Sequence, residues 1–458
     1  MKLSRTLFRT LPLAAAVALT FASAAQAQSL VDMYEAARGY DASFISAKAQ
    51  FEANLAKANQ TLGGVLPNIA LSASASRTYF NFRPDTPFTH PTDPTKSLLP
   101  SERFYGTGSA SITLTQPIYR PAAWAAYKQG GRLLEQAAAQ YEAAEQDLLV
   151  RVSQAYFDVL TSEDSLASVQ AQKQAVQEQL ASAKRNFEVG TSTITGVRDA
   201  QARFDLSTAQ EIAAENDLRI KRLALDLAVG LSNAKPKHLA KNSTLIAAPA
   251  EDVSVWVTQS EAASPAVRQA QLALNVASLE VDKAVAGHKP TLDAQLAYSG
   301  VRNDGGNVTG TVSSHIYNPS AAIVLNVPIF AGFATEYRVK ETVALEDKAR
   351  SDYENARRNT AQATRTAYFG LVAGLSQVKA LEAAEASTQS ALDANKLGYS
   401  VGVNINIDVL NSQSQLYQTK RDLAKARYDV LVGNLKLRQA SGTLTPQDLQ
   451  PINALLAP

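Results

Sequence analysis

The chain contains no cysteine. That one absence excludes disulfides, thiolate metal sites, thiol nucleophiles and a lipid-modified N-terminal cysteine. Histidine is nearly as scarce. His90, His238, His288 and His315 fall on loops or element boundaries, with no HxxxH or acid–His spacing that would hold a metal. There is no P-loop, no G-x-S-x-G, and no G-x-G-x-x-G between a strand and a helix; Gly305-Gly306 reads as a turn. The sequence therefore predicts no enzyme, no metal and no cofactor. Past the first 27 residues no apolar run reaches the length of a spanning helix. Residence in a membrane would have to be by strands.

Net charge is also lacking once the N-terminus is set aside. Lys2, Arg5 and Arg9 precede the apolar LPLAAAVALTFASAA, and Ala25-Gln26-Ala27 is a small-x-small cleavage site, so residues 1–27 read as a secretory signal peptide. Without those three basic residues, 44 Lys+Arg against 42 Asp+Glu become 41 against 42. No general electrostatics for nucleic acid remain.

What the sequence does have is itself, twice. FEVGTSTITGVRDAQ (187–201) and YSVGVNINIDVLNSQ (399–413) share an aromatic, then x-Val-Gly, then a β-branched and Asn/Ser/Thr-rich run. The match extends without a gap from Phe187–Gly230 to Tyr399–Gly442 at an offset of 212, and Ala155-Tyr156-Phe157 matches Ala367-Tyr368-Phe369 at the same offset. QPIY at 116–119 matches VPIF at 327–330 with the offset slipped by one. An ordered series of this kind indicates duplication.

Each half changes period in the same order. A helical segment (30–61; 260–286) is stopped by proline. An alternating strand (about 67–80; about 290–302) follows, then a polar turn-rich loop and a second strand (about 108–117; about 319–328). In 290–302, Leu292, Ala294, Leu296 and Tyr298 share one face, with Thr291, Asp293, Gln295 and Ser299 on the other. A long helix comes next (about 122–187; about 333–398). Val152, Ala155, Val159, Leu166, Val169, Val176, Leu180, Ala183 and Phe187 keep one heptad frame, echoed by Leu371, Val378, Leu381, Leu392 and Tyr399, which predicts coiled-coil packing. At 1.5 Å per residue such a helix is roughly 100 Å long. A returning helix about half that length closes each half (about 195–230; about 405–442). The repeats span 28–230 and 260–442, with a connector at 231–259 and a C-terminal segment at 443–458.

Four strands per chain, apolar on one face and Ser, Thr, Asn and Gln on the other, match the wall of a water-filled barrel. Four cannot close alone, and an open edge in lipid is not viable. Two, three or four chains would give 8, 12 or 16 strands, and an eight-stranded interior is filled by side chains.

The motif order LPNI, KPTL, AYF, VPIF, YSVGVNINIDVL and ASGTLTPQDL, with the signal peptide and duplicated plan, resembles the TolC family of outer-membrane efflux proteins over essentially the whole mature chain. The resemblance implies an α+β membrane protein: a homotrimer with one 12-stranded barrel in the outer membrane, continuing into a periplasmic α-helical coiled-coil tunnel. The connector and C-terminal segment would form an equatorial collar. It implies the passive exit duct of a tripartite efflux pump or type I secretion system, with a periplasmic adaptor (membrane fusion) protein, an inner-membrane transporter and outer-membrane lipid as partners. Relatives close the tip through Tyr, Arg and Asp and ring it with acids. Tyr399 and Asp408 match that pattern, whereas Asn404 stands at the Arg position, Gly196 (beside Thr195) at the Asp position, and Asn411 at the second ring acid. Those six residues are the expected constriction. Val189, Gly190, Thr191, Val401, Gly402 and Val403 are the expected adaptor-docking turns. A self-contained diffusion porin needs no long heptads, and a soluble periplasmic scaffold needs no two-faced strands.

Overall fold

The computed structural model describes residues 28–83, 89–90, 93–97, 101–191, 193–240, 249, 251–307 and 311–457. The expected signal peptide, 1–27, lies outside the described residues, as does part of the connector. In chain order the elements are α1 Leu30–Tyr40, α2 Ala42–Leu62, β1 Asn68–Phe82, β2 Thr89–His90, β3 Asp93–Ser97, β4 Ser101–Tyr119, α3 Pro121–Glu188 and α4 Ile194–Val229. The second half continues with α5 Val253–Ala263, α6 Pro265–Val285, β5 Thr291–Asp304, β6 Ser314–Asn326, α7 Ala334–Ser400, α8 Asn406–Ser441 and α9 Leu449–Asn453. The chain divides into two compact units, one of residues 49–140 with 268–356, the other of residues up to 48 with 141–267 and from 357 onward.

The first unit holds the strands. β1, β4, β5 and β6 form one antiparallel sheet in the order β1-β4-β5-β6, so β1 and β6 are its edges. Each strand reaches farther into the polar loops than the hydrophobic alternation alone predicts. The ladder persists there because aromatic pairs such as Tyr79–Phe104, 5.0 Å between ring centroids, carry it on. The opposite end is set by proline. Pro117 coincides with a register shift against β5, and Pro328 follows the end of β6, since neither can donate to the ladder. Register keeps the two faces apart. Leu114 stands between Ile69 and Leu296 on one face; Ser72–Ser111 at 2.8 Å and Ser74–Ser109 at 2.7 Å are bonded on the other. Where strand becomes helix, Arg120 makes a bidentate pair with Asp293, both contacts at 2.7 Å.

The second unit holds the main apolar core, built from α1, α3, α4, α8 and α9. Tyr34, Tyr156, Phe157, Leu225, Leu431, Leu435 and Ile452 are fully enclosed there. The hydroxyl of Tyr156 donates to the Lys237 carbonyl at 2.9 Å, and single bridges join Gln28 to Pro236 and Leu239 to Leu456. The connector, the first described residues and the C-terminal segment thus meet over one core. Heptad positions Val152, Val159, Val169, Val176, Leu180 and Ala183 are buried; Phe187, the last, is not.

Two single helices expected from the sequence are each two. The segment 30–61 breaks at Asp41, whose carboxylate accepts from the Phe44 amide at 2.7 Å and pairs with Arg151 at 3.0 Å. An aspartate that caps a new helix stabilises the break more than helix continuation would. In the other half α5 and α6 meet at Ser264-Pro265, where proline opens α6 with no amide to leave unbonded. α5 begins inside the stretch read as connector. The returning helices end on these breaks: α4 closes at Gly230 under Tyr40, and α8 closes at Gly442 against the backbone of Ser264.

Candidate functional site: the two tip turns

Both turns sit in the second unit, and the repeated Val-Gly makes each. Gly190 and Gly402 have φ of +78° and +79°, the left-handed conformation that ends a helix. Around the first, the Gly190 amide donates to the Phe187 carbonyl and the Thr191 amide to the Asn186 carbonyl. Around the second, the Gly402 amide donates to Tyr399 and that of Val403 to Gly398. β-Branched residues then carry the chain extended into the next helix. Thr193 caps α4, its hydroxyl accepting from the Gly196 amide at 3.4 Å and bonding Thr195 at 2.7 Å. Asp408 caps α8, its carboxylate accepting from the Ile405 amide at 3.2 Å.

Side-chain amides join one turn to the other. Asn186 Nδ2 donates to the Tyr399 hydroxyl at 3.0 Å, and Asn406 Nδ2 donates to the Gly196 carbonyl at 3.2 Å while Asn406 Oδ1 accepts from Gln179. Asn404 Nδ2 donates to Asn395 Oδ1 at 2.8 Å, and Asn395 in turn bonds Ser412. A cavity of about 550 Å³ opens between the turns, lined by Thr195, Gly196, Tyr399, Asn404, Asn406 and others. Beneath it, Val176, Leu180, Ala183, Ala200 and Leu410 pack as one cluster, and Leu392, Val409 and Leu416 as another.

Of the expected constriction residues, Tyr399, Asn404, Thr195 and Gly196 therefore share one cavity. Asp408 stands at the start of α8, and Asn411 faces away, its Oδ1 accepting from Arg203 at 2.9 Å. The turn residues Val189, Val401 and Val403 are among the most exposed apolar side chains of the described residues, whereas the Thr191 hydroxyl is engaged with the Asn186 carbonyl at 3.0 Å. Sequence reading missed Asn186, Asn395 and Asn406. Asn406 is 6% exposed with both ends of its amide bonded, so it is the most constrained of the set. The NINID run was its available signal: a polar amide alternating with isoleucine at a helix start.

Comparison with known proteins agrees with this architecture. The family described as Outer membrane efflux protein matches residues 33–231 and 256–443. The Outer membrane protein TolC of Vibrio cholerae serotype O1 is 31% identical over 97% of this chain and 98% of its own length. The Alkaline protease secretion protein AprF of Pseudomonas aeruginosa is 26% identical over 93% of this chain and 87% of its own. Among solved structures, the CmeC outer membrane channel of Campylobacter jejuni superposes with a TM-score of 0.75 at 17% identity, covering 93% of this chain and 89% of that one, which speaks for the fold. With the family matched across both repeats and a relative similar over nearly its whole length, the chain belongs to the outer membrane efflux proteins.

Proposed function

We propose that three copies of this chain close their sheets, β6 of one against β1 of the next, into a single 12-stranded barrel. The outer-membrane exit duct so formed conducts substrates passively, fed by a periplasmic adaptor and an inner-membrane transporter. The observation that carries this reading is the four-stranded sheet with two faces of opposite polarity and two edges without a partner among the described residues. Such edges are stable in lipid only when a neighbour completes the ladder. A second feature favours association: Leu206, Ile220 and Leu227 occupy one heptad position of α4 and are 52%, 54% and 75% exposed. A stripe of that kind is a seam awaiting another helix.

The polar cavity between the tip turns is the narrow end of the duct in this reading. The exposed valines of the turns are the surface an adaptor contacts, and Asp408 supplies the charge of the aperture. Similarity to a protein named for alkaline protease secretion favours a duct used in type I secretion as well as in efflux.

The sheet gives the test. Leu296 would face lipid and Gln295 the lumen, so Leu296→Arg should weaken assembly by about 2–4 kcal/mol if it lies near the midplane, while Gln295→Arg is tolerated. The readout is the heat-modifiable oligomer extracted by detergent from outer membranes. Equal yields from both variants would reject the barrel.

A further inference from the structure

The face of the sheet that carries Leu296 changes character toward the hairpin ends. The rows Ile69–Leu114–Leu296–Ala321 and Leu71–Ile112–Tyr298–Pro319 are apolar and bound a groove of about 590 Å³. From Leu325 up to Tyr317 this apolar band spans nine residues of β6, roughly 25 Å along the strand. Tilted by about 35–45°, that length projects to roughly 20 Å, most of the ~25 Å height of a barrel's lipid-facing band. Tyr298 and Tyr317 stack near its upper limit, 6.4 Å between centroids, where an aromatic girdle belongs.

Directly above, side chains give way to a window. Gly108 lies between Ala75 and Arg302, and in the next row Gly106 lies between Arg77 and Asp304. A Cβ at Gly108 would meet nothing within 4 Å, and one at Gly106 nothing nearer than 3.9 Å. The two glycines thus form an open floor with Arg77 and Arg302 at its sides, both exposed. The Arg77 guanidinium rests over the Phe104 ring at 5.7 Å, and among the described residues no carboxylate pairs with it. Arg302 binds Asp304 through Nε alone, at 2.9 Å, which leaves its terminal nitrogens to another acceptor. His315 stands opposite Arg302 in register. Farther out, Arg83 and Glu102 neutralise each other at 3.2 Å.

We propose that this window binds the phosphate of an acidic lipid in the outward-facing leaflet, with the acyl chains lying along the groove beneath. The proposal rests on the barrel reading above, which makes this face the lipid-exposed one. Planar guanidinium groups present paired donors that suit phosphate oxygens. Their level, just past the aromatic girdle, is that of the headgroups, where long cationic side chains keep their charge in the interface. A bare glycine floor lets a bulky headgroup approach the backbone, which a surface built only to repel water would not need.

The experiment compares thermal melting of the purified oligomer in neutral detergent, alone and with added bisphosphorylated diglucosamine lipid. The proposal expects a rise in melting temperature with this lipid and a smaller one with its dephosphorylated form. Arg77→Gln/Arg302→Gln should lose more than half of the rise, Arg77→Lys/Arg302→Lys should keep most of it, and Arg83→Gln should match the wild type. Equal rises with both lipids, or an undiminished rise in the double Gln variant, would overturn the proposal. So would a full rise from inorganic phosphate alone, which would mark an ion site instead. Failure of the wild type to form any oligomer would reject the underlying barrel and this proposal with it.

Discussion

Asn186 and Tyr399, 213 residues apart, are joined by a single hydrogen bond of 3.0 Å that ties the last turn of α3 to the last turn of α7. It belongs to a set made of amides, hydroxyls and backbone carbonyls. Where the family resemblance implies an arginine and an aspartate, this chain has Asn404 and Gly196, and the turns are held without an ion pair between those positions. Each neutral bond contributes about 0.5–1.5 kcal/mol net. Asn186→Ala or Tyr399→Phe should therefore raise channel opening a few-fold per chain in single-channel recordings, and Asn406→Ala should raise it more because two bonds and a buried amide are lost. Opening should change little between 0.1 and 1 M salt, since screening acts on charges. A steep salt dependence would show that charged groups hold the turns.

Asp408 caps α8, and its charge is separable from that task. Asp408 is the third residue of α8 and accepts from the Ile405 amide, and the Oδ1 of an asparagine there still offers that acceptor. Asp408→Asn should leave the melting temperature nearly unchanged while reducing cation preference in planar bilayers, because in the proposed duct its copies gather round the aperture and would focus their field on passing ions. If selectivity is indifferent to the change, Asp408 serves the helix end alone.

Four glycines repeat in pairs, and the pairs should respond differently. A Cβ at Gly442 would come within 2.5 Å of the Ser264 backbone, and at Gly230 within 2.2 Å of the Tyr40 ring; at Gly190 and Gly402 it would meet nothing within 4 Å. All four have positive φ. Gly190→Ala should cost about 1–2 kcal/mol from backbone strain alone. Gly442→Ala adds a backbone collision that no rotamer relieves, so its loss in thermal unfolding should be clearly larger. Comparable losses would show that the α5–α6 break yields.

Acid should loosen the equivalent break in the first half. Hydrogen bonds from Arg151 hold the Asp41 carboxyl below its ordinary value despite burial, aided by the Phe44 amide. A depressed carboxylate contributes stability that is complete above its ordinary pKa and is lost as pH falls through the folded value. Asp41→Asn keeps the cap but removes the titration, so it should lower stability at neutral pH and flatten the acid limb of a melting-temperature profile below about pH 4. An unchanged acid limb would place the acid sensitivity elsewhere.

Much of this protein is determined by local sequence alone. The period of two and the prolines at 67, 117, 290 and 328 fix where strands can lie and which face is apolar, because a strand alternates its side chains whatever surrounds it. The heptads and the doubled Val-Gly fix two long helices and two turns, because a 3.5 repeat and a left-handed glycine have few other uses. The tertiary structure decided what depends on partners far away in the chain. Asp41 breaks a helix that its neighbours would continue, because Arg151 is there to pair with it. Asn406 becomes the link between turns only because Gln179 and Gly196 arrive beside it. Gly106 and Gly108 read as weak points of a strand until the register sets them between two arginines. Propensity and period act within a few residues, whereas hydrogen bonds and charge pairs depend on distances that only the folded chain sets.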